Sequence, residues 1–244
     1  MCAGCRILGQ KCLDKNRKTI LADMRAVNSA QTHKLTCLMC NLLLLTEDYC
    51  AAFSADLLDN LGTMLHDTFH SKEYQKVIHL IARFAPVSDV LKLLRAQLSG
   101  TQSVQALSRL CKFCAEYATY CQPNGEEAVV LVRLLLSEDN DCIEDVEFVG
   151  VYACLILRLI EAFDRLFGSL AESSADNYAD AVNLTATAAA SVVQRMEDIV
   201  ERQPGAFRDI FAEFSWQEEA LDVFRRETQN WMVKVQNELD LKRI

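Results

Sequence analysis

Ten consecutive apolar or small residues, Phe148 to Leu157 (FVGVYACLIL), constrain this chain more than any other stretch. Acids precede the run (Glu144, Asp145, Glu147), and Arg158, Glu161 and Asp164 follow it. The apolar pattern then continues through Leu159, Ile160, Phe163, Leu166 and Phe167. A helix that is apolar on every side has to be covered on every side. The run is too short to span a bilayer, which takes ~20 apolar residues. Its cover must come from the rest of the chain or from a partner.

The surrounding sequence predicts an all-α fold. Only 3 prolines and 8 glycines interrupt 244 residues, and these are the residues that stop helices. Alternating strand-like stretches bounded by turn dipeptides are nearly absent. At 51% hydrophobic residues, disorder over most of the length is excluded.

Taken in order, residues 17–31 predict a short polar helix and Leu35–Leu45 a buried one. Ser54 caps a helix with Leu57, Leu58, Leu61, Met64 and Leu65 inward. Ser71 caps another, with Tyr74, Val77, Ile78, Ile81 and Phe84 at i, i+3, i+4 spacing, ended by Pro86. Ser88 is expected to cap the helix that Gly100 stops, and Thr101 to open the one carrying Val104, Leu107, Leu110, Cys111, Cys114 and Tyr117. After the turn at Pro123-Asn124-Gly125, Glu126–Leu136 predicts a helix. Six carboxylates lie between Ser137 and Glu147, where Asp141 and Glu144 fit a capping box for the central run. After a polar break, Ala175, Ala179, Val182, Ala186, Ala189, Val193, Met196 and Val200 form a 4-3 seam, half of it alanine, expected to face a neighbouring helix. Pro204-Gly205 ends it, and Ser215 with Glu218 is expected to start the last helix.

The first half falls into helix–turn–helix units of roughly 35–45 residues. Cys37-x-x-Cys40 with Tyr49-Cys50 matches Cys111-x-x-Cys114 with Tyr120-Cys121, allowing a three-residue gap. Over about residues 35–172 the chain resembles the armadillo/HEAT superfamily of helical repeats in period and apolar pattern. That resemblance implies a curved stack of helical hairpins with one face for an extended peptide or helix of another protein. The expected organisation is a basic segment at 1–34, a hairpin region at 35–172, and long bundle-like helices at 173–244, packed as one continuous domain.

Charge narrows the partners. Net charge is −9, yet residues 1–35 carry seven basic groups against two acids. The acidic remainder disfavours nucleic acid and favours a basic protein partner. The basic start is read as a solvated helix face or as a contact with a membrane surface.

Eleven cysteines without an apolar leader indicate free thiols in a reducing compartment, cytoplasmic or nuclear. Cys37/Cys40 and Cys111/Cys114 lie in apolar helical runs and are expected to pack as small hydrophobes. Cys2 and Cys5, beside Gly4 and ahead of the basic run, are the candidates for S-acylation. Zinc held by them with Cys12 and a histidine is the alternative, as a zinc-dependent regulator or enzyme. His66 and His70 have metal-ligand spacing, but HDTFH lacks the glutamate of a zinc protease helix. The acidic connector lacks the glycine and glutamate positions of a calcium loop. The sequon Asn183-Leu184-Thr185 would matter only in a secreted setting. No phosphate-binding, dinucleotide or nucleophile-elbow motif occurs.

The expectation is therefore a non-enzymatic scaffold without cofactor, binding a peptide or helix of a partner. Its candidate anchors are Trp216, Phe224 and Trp231, because tryptophan is enriched at binding hot spots. A peripheral membrane adaptor acylated at Cys2 or Cys5 is the second reading.

Overall fold

The computed structural model describes residues 75, 78–79, 81–83, 85–100, 103–123, 125–136, 144–167 and 175–242. Most of these residues are helical, and there is no strand among them. The chain divides into two compact units, Met1–Gln97 and Leu98–Ile244. In the first, Ile78, Ile81, Ala82 and Ala85 are buried, and so are Val87, Val90, Leu91 and Leu94. Both sets follow the spacing of a helix with one inner face. The second set belongs to α1 (Val87–Gly100), which starts directly after Pro86, ahead of the expected cap at Ser88. The Pro86 carbonyl accepts the helix's first bonds, from the Asp89 N–H at 3.0 Å and the Val90 N–H at 3.3 Å.

The second unit is organised around the apolar run. It holds α2 (Val104–Tyr120), α3 (Gly125–Leu135), α4 (Val146–Phe167), α5 (Ala175–Arg202), α6 (Arg208–Glu213) and α7 (Ala220–Lys242). Every residue from Phe148 to Leu157 is buried, and no hydrophobic side chain in that run exceeds 1% exposure. The cover comes from this chain: α2, α3, α5, α6 and α7 all pack on α4. α3 also packs on α5, and α5 on α7.

Gly150 explains how so short a helix as α6 seats on α4. A Cβ there would lie 2.8 Å from Ile210 Cδ1 and 2.9 Å from Phe207 Cδ1. The missing side chain lets Phe207 and Ile210 come down onto the α4 backbone.

The cap of α4 differs from the expected box at Asp141. Asp145 Oδ1 accepts a hydrogen bond from the Phe148 N–H at 2.9 Å. Asp145 stands directly before the helix and satisfies the third free N–H of its first turn, the geometry of a single N-cap.

The seam on α5 is also rotated from its expected position. Tyr178, Ala181, Val182, Thr185, Ala188, Ala189, Val192, Met196 and Ile199 are buried, whereas Ala179, Ala186, Val193 and Val200 are only half-buried. Packing on α3, α4 and α7 at once requires a stripe wider than a two-helix seam, and it centres on the bulky Tyr178, Val192 and Ile199. Thr185 enters this core by donating its hydroxyl to the Ala181 carbonyl at 2.8 Å.

An aromatic cluster closes one end of the unit. Phe163 lies 4.6 Å from Phe167, 5.5 Å from Tyr178 and 5.1 Å from Trp231, the last two edge-on. Around it the Tyr178 hydroxyl donates to Glu238 at 2.8 Å, and Lys234 pairs with Asp164. At the far end of α2, Arg165 of α4 donates to the carbonyls of Ala118 and Cys121, at 2.8 Å for the latter. A cation on the last carbonyls of a helix satisfies free acceptors and meets the negative end of its dipole.

Candidate functional site

The most site-like feature is an open cleft between α3 and α5. Its volume is about 340 Å³, within the range of ligand-binding clefts. Its apolar residues are Leu136 and Ala188, both buried, and half-buried Leu184. Its polar residues, Arg133, Asp180, Asn183 and Thr187, are exposed.

Helix geometry explains this division. Asp180, Asn183, Leu184, Thr187 and Ala188 are spaced three and four apart and share one face of α5. That face borders the core stripe, so it grades from buried alanine to exposed amide and hydroxyl. Arg133 in the last turn of α3 reaches across to Asp180, Nη2 to Oδ2 2.7 Å, tying the two helices over the cleft. Both side chains remain more than half exposed, at 55% and 54%. Water screens such a pair, and its contribution to stability is about 0–1 kcal/mol.

A second polar group sits where α2, α4 and α6 meet. Lys112 is 8% exposed, and its ammonium lies 3.2 Å from Glu213 and 3.6 Å from Glu147. Nearby, Arg158 donates to the Phe214 carbonyl at 3.0 Å and to Glu161 at 2.7 Å, and lies 4.8 Å from the centre of the Trp216 ring. Burial pushes the Glu116 carboxyl up, with the positive charge of Arg158 opposing it. The two Lys112 contacts and the Arg158–Phe214 bond each join one helix or turn to another, which is what a structural tie requires.

The described cysteines of this unit are core residues. Cys111, Cys114, Cys121 and Cys154 are buried free thiols. Burial pushes Cys111 and Cys121 up to about 12 and raises Cys114 and Cys154 well above the ordinary value. They stay protonated at neutral pH, the opposite of an activated nucleophile. Among the described residues no group of three or more His, Cys, Asp or Glu side chains is placed to hold a metal ion. Among them, too, no helix is long and apolar enough to cross a membrane.

The residues singled out from sequence fall in different places. Phe224 is fully buried, and Trp231 is 5% exposed against Phe163. Trp216 keeps a half-buried ring over Arg158, beside Phe211 and Phe214. The structure does not bring the three together into one exposed patch. Cys2, Cys5, Cys12, Cys37, Cys40, His66 and His70 lie outside the described residues. The cleft residues had escaped sequence reading. Their one signal, a polar and small stripe at 180, 183, 187 and 188, runs alongside the alanine seam.

No family model, no curated protein and no solved structure matches this chain. The α3/α5 cleft therefore has to be read from its own chemistry.

Proposed function

We propose that this chain is a non-enzymatic scaffold whose α3/α5 cleft holds a peptide or helical segment of another protein. The observation that carries this reading is the cleft itself, with buried Leu136 and Ala188 below and exposed Arg133, Asp180, Asn183 and Thr187 around them. Apolar groups desolvated at the centre and polar groups at the rim are the general anatomy of protein interfaces and helix-binding grooves. The region over 35–172 is proposed to be an armadillo/HEAT-like stack of hairpins; the support is the period of its apolar pattern.

A photoreactive amino acid placed at Asn183 or Thr187 tests the reading in cells. Discrete protein adducts are expected from both positions and not from Val233, which is 63% exposed on α7 and outside the cleft. Absence of adducts from the cleft, or the same adducts from Val233, would count against it.

A further inference from the structure

We infer that the segment bound in this cleft is basic, pairing aliphatic side chains with lysine or arginine. The inference rests on the scaffold reading above and specifies its partner. Three observations carry it. Asp180 already holds a guanidinium, that of Arg133 at 2.7 Å, so a cation fits at that point of the rim. The pair is exchangeable, because both of its side chains are more than half exposed and water competes for each. The unit that contains the cleft, Leu98–Ile244, carries 25 acidic residues against 13 basic ones.

That imbalance sets the long-range attraction. A basic segment is drawn in by the whole unit and an acidic one is repelled. Once seated, a lysine or arginine exchanges for Arg133 on Asp180, and aliphatic neighbours lie on Leu136, Leu184 and Ala188. The amide of Asn183 and the hydroxyl of Thr187 are then in place to pair with backbone groups of the segment.

The test is selection of displayed random peptides of about 16 residues against the full chain, followed by fluorescence anisotropy on the enriched sequences. The enriched peptides should combine net positive charge with aliphatic residues. Their affinity should fall about tenfold from about 50 to about 500 mM salt, as screening removes the field. Two rim variants separate this site from any other. Thr187→Trp fills the cleft from an exposed position, and Asn183→Lys adds like charge at another; each should weaken binding about tenfold or more. Both positions are exposed, and an unchanged circular-dichroism melt shows that each variant has folded. Enrichment of neutral or acidic peptides, no enrichment, or binding by both variants as tight as by the parent chain would overturn the inference. An adduct from Asn183 or Thr187 that maps to an acidic segment of a partner would sink the inference and leave the scaffold reading standing.

Discussion

Gly150 and Ile210 approach so closely that a Cβ on the glycine would stand 2.8 Å from the isoleucine Cδ1. Phe207 crowds the same point at 2.9 Å and is 1% exposed, so its ring has nowhere to go. Alanine in a helix interior gains ~1 kcal/mol over glycine, whereas overpacking a core costs ~1–3 kcal/mol. The second effect wins here, because α6 has to lift for the methyl to enter. Gly150→Ala should lower stability to urea by about 1 kcal/mol. Adding Ile210→Ala opens one side of the clash, so the double variant should lose less than the sum of the two single changes. A gain of stability in Gly150→Ala would show that α6 yields freely.

Arg165 ends α2 from a distance. Its two carbonyl acceptors, on Ala118 and Cys121, belong to another helix, so replacing it unties α2 from α4 without touching the apolar core. Arg165→Ala should cost about 1–2 kcal/mol, within the range for a charged hydrogen-bond donor. Arg165→Lys should recover only part of this, because an ammonium lacks the flat fork that spans two carbonyls. Equal melting temperatures for the two variants would contradict that geometry.

Trp231 and Trp216 should separate cleanly. Trp231 is 5% exposed against Phe163, so Trp231→Ala should cost about 3–5 kcal/mol, as large core truncations do. Phe224→Ala should behave alike, since Phe224 is fully buried. Trp216 covers Arg158 with a half-exposed ring, and its loss should cost about 1 kcal/mol. Chemical unfolding followed by circular dichroism checks the order. A Trp231→Ala variant as stable as the parent would put the α7 helix outside the core.

Alkali should destabilise the fold ahead of general base damage. Cys111 and Cys121 are raised from 9.0 to about 12 by burial. The unfolded chain therefore loses these protons first. The stabilisation is complete below pH 9, falls as pH rises beyond it, and is exhausted near pH 12. Between about pH 9 and 10 each thiol should withdraw about 1 kcal/mol. Tyr117 and Tyr178, also raised by burial, extend the loss to higher pH. Urea titrations in reducing buffer should give a midpoint that falls over this range, and the fall should shrink in Cys111→Ala. A midpoint independent of pH would mean the thiols are not buried.

Lys112 tests whether the junction of α2, α4 and α6 is held by charge or by packing. Both of its carboxylate partners are about half exposed, at 55% and 42% of their side chains, so each regains water once the lysine is gone. Lys112→Met keeps the apolar stem and should cost under about 1 kcal/mol, whereas Lys112→Ala also leaves a gap and should cost about 2 kcal/mol or more. Equal losses in the two variants would assign the junction to the ion pairs.

The sequence by itself determined the helical class and the buried rod, for a local reason. Ten uncharged residues in a row leave α4 no face to give to water, and scarce proline and glycine leave long helices unbroken. Phe207, Ile210, Phe211 and Phe214, at the spacing of one helical stripe, follow the same logic, with the three phenylalanines buried and Ile210 half-buried. Other features depend on what arrives from far along the chain. The core face of α5 turned because three helices, not one, pack on it. The cap moved to Asp145 because helix bounds are set by hydrogen bonds and not by motif matches. Trp231 went inward because the ring of Phe163 receives it. The cleft exists because α3 and α5 pack together with Leu136 and Ala188 beneath an exposed rim, and spacing along one helix cannot encode which residues of another will lie beside it. A chain states which of its residues avoid water; only the assembled helices decide which neighbour takes its place.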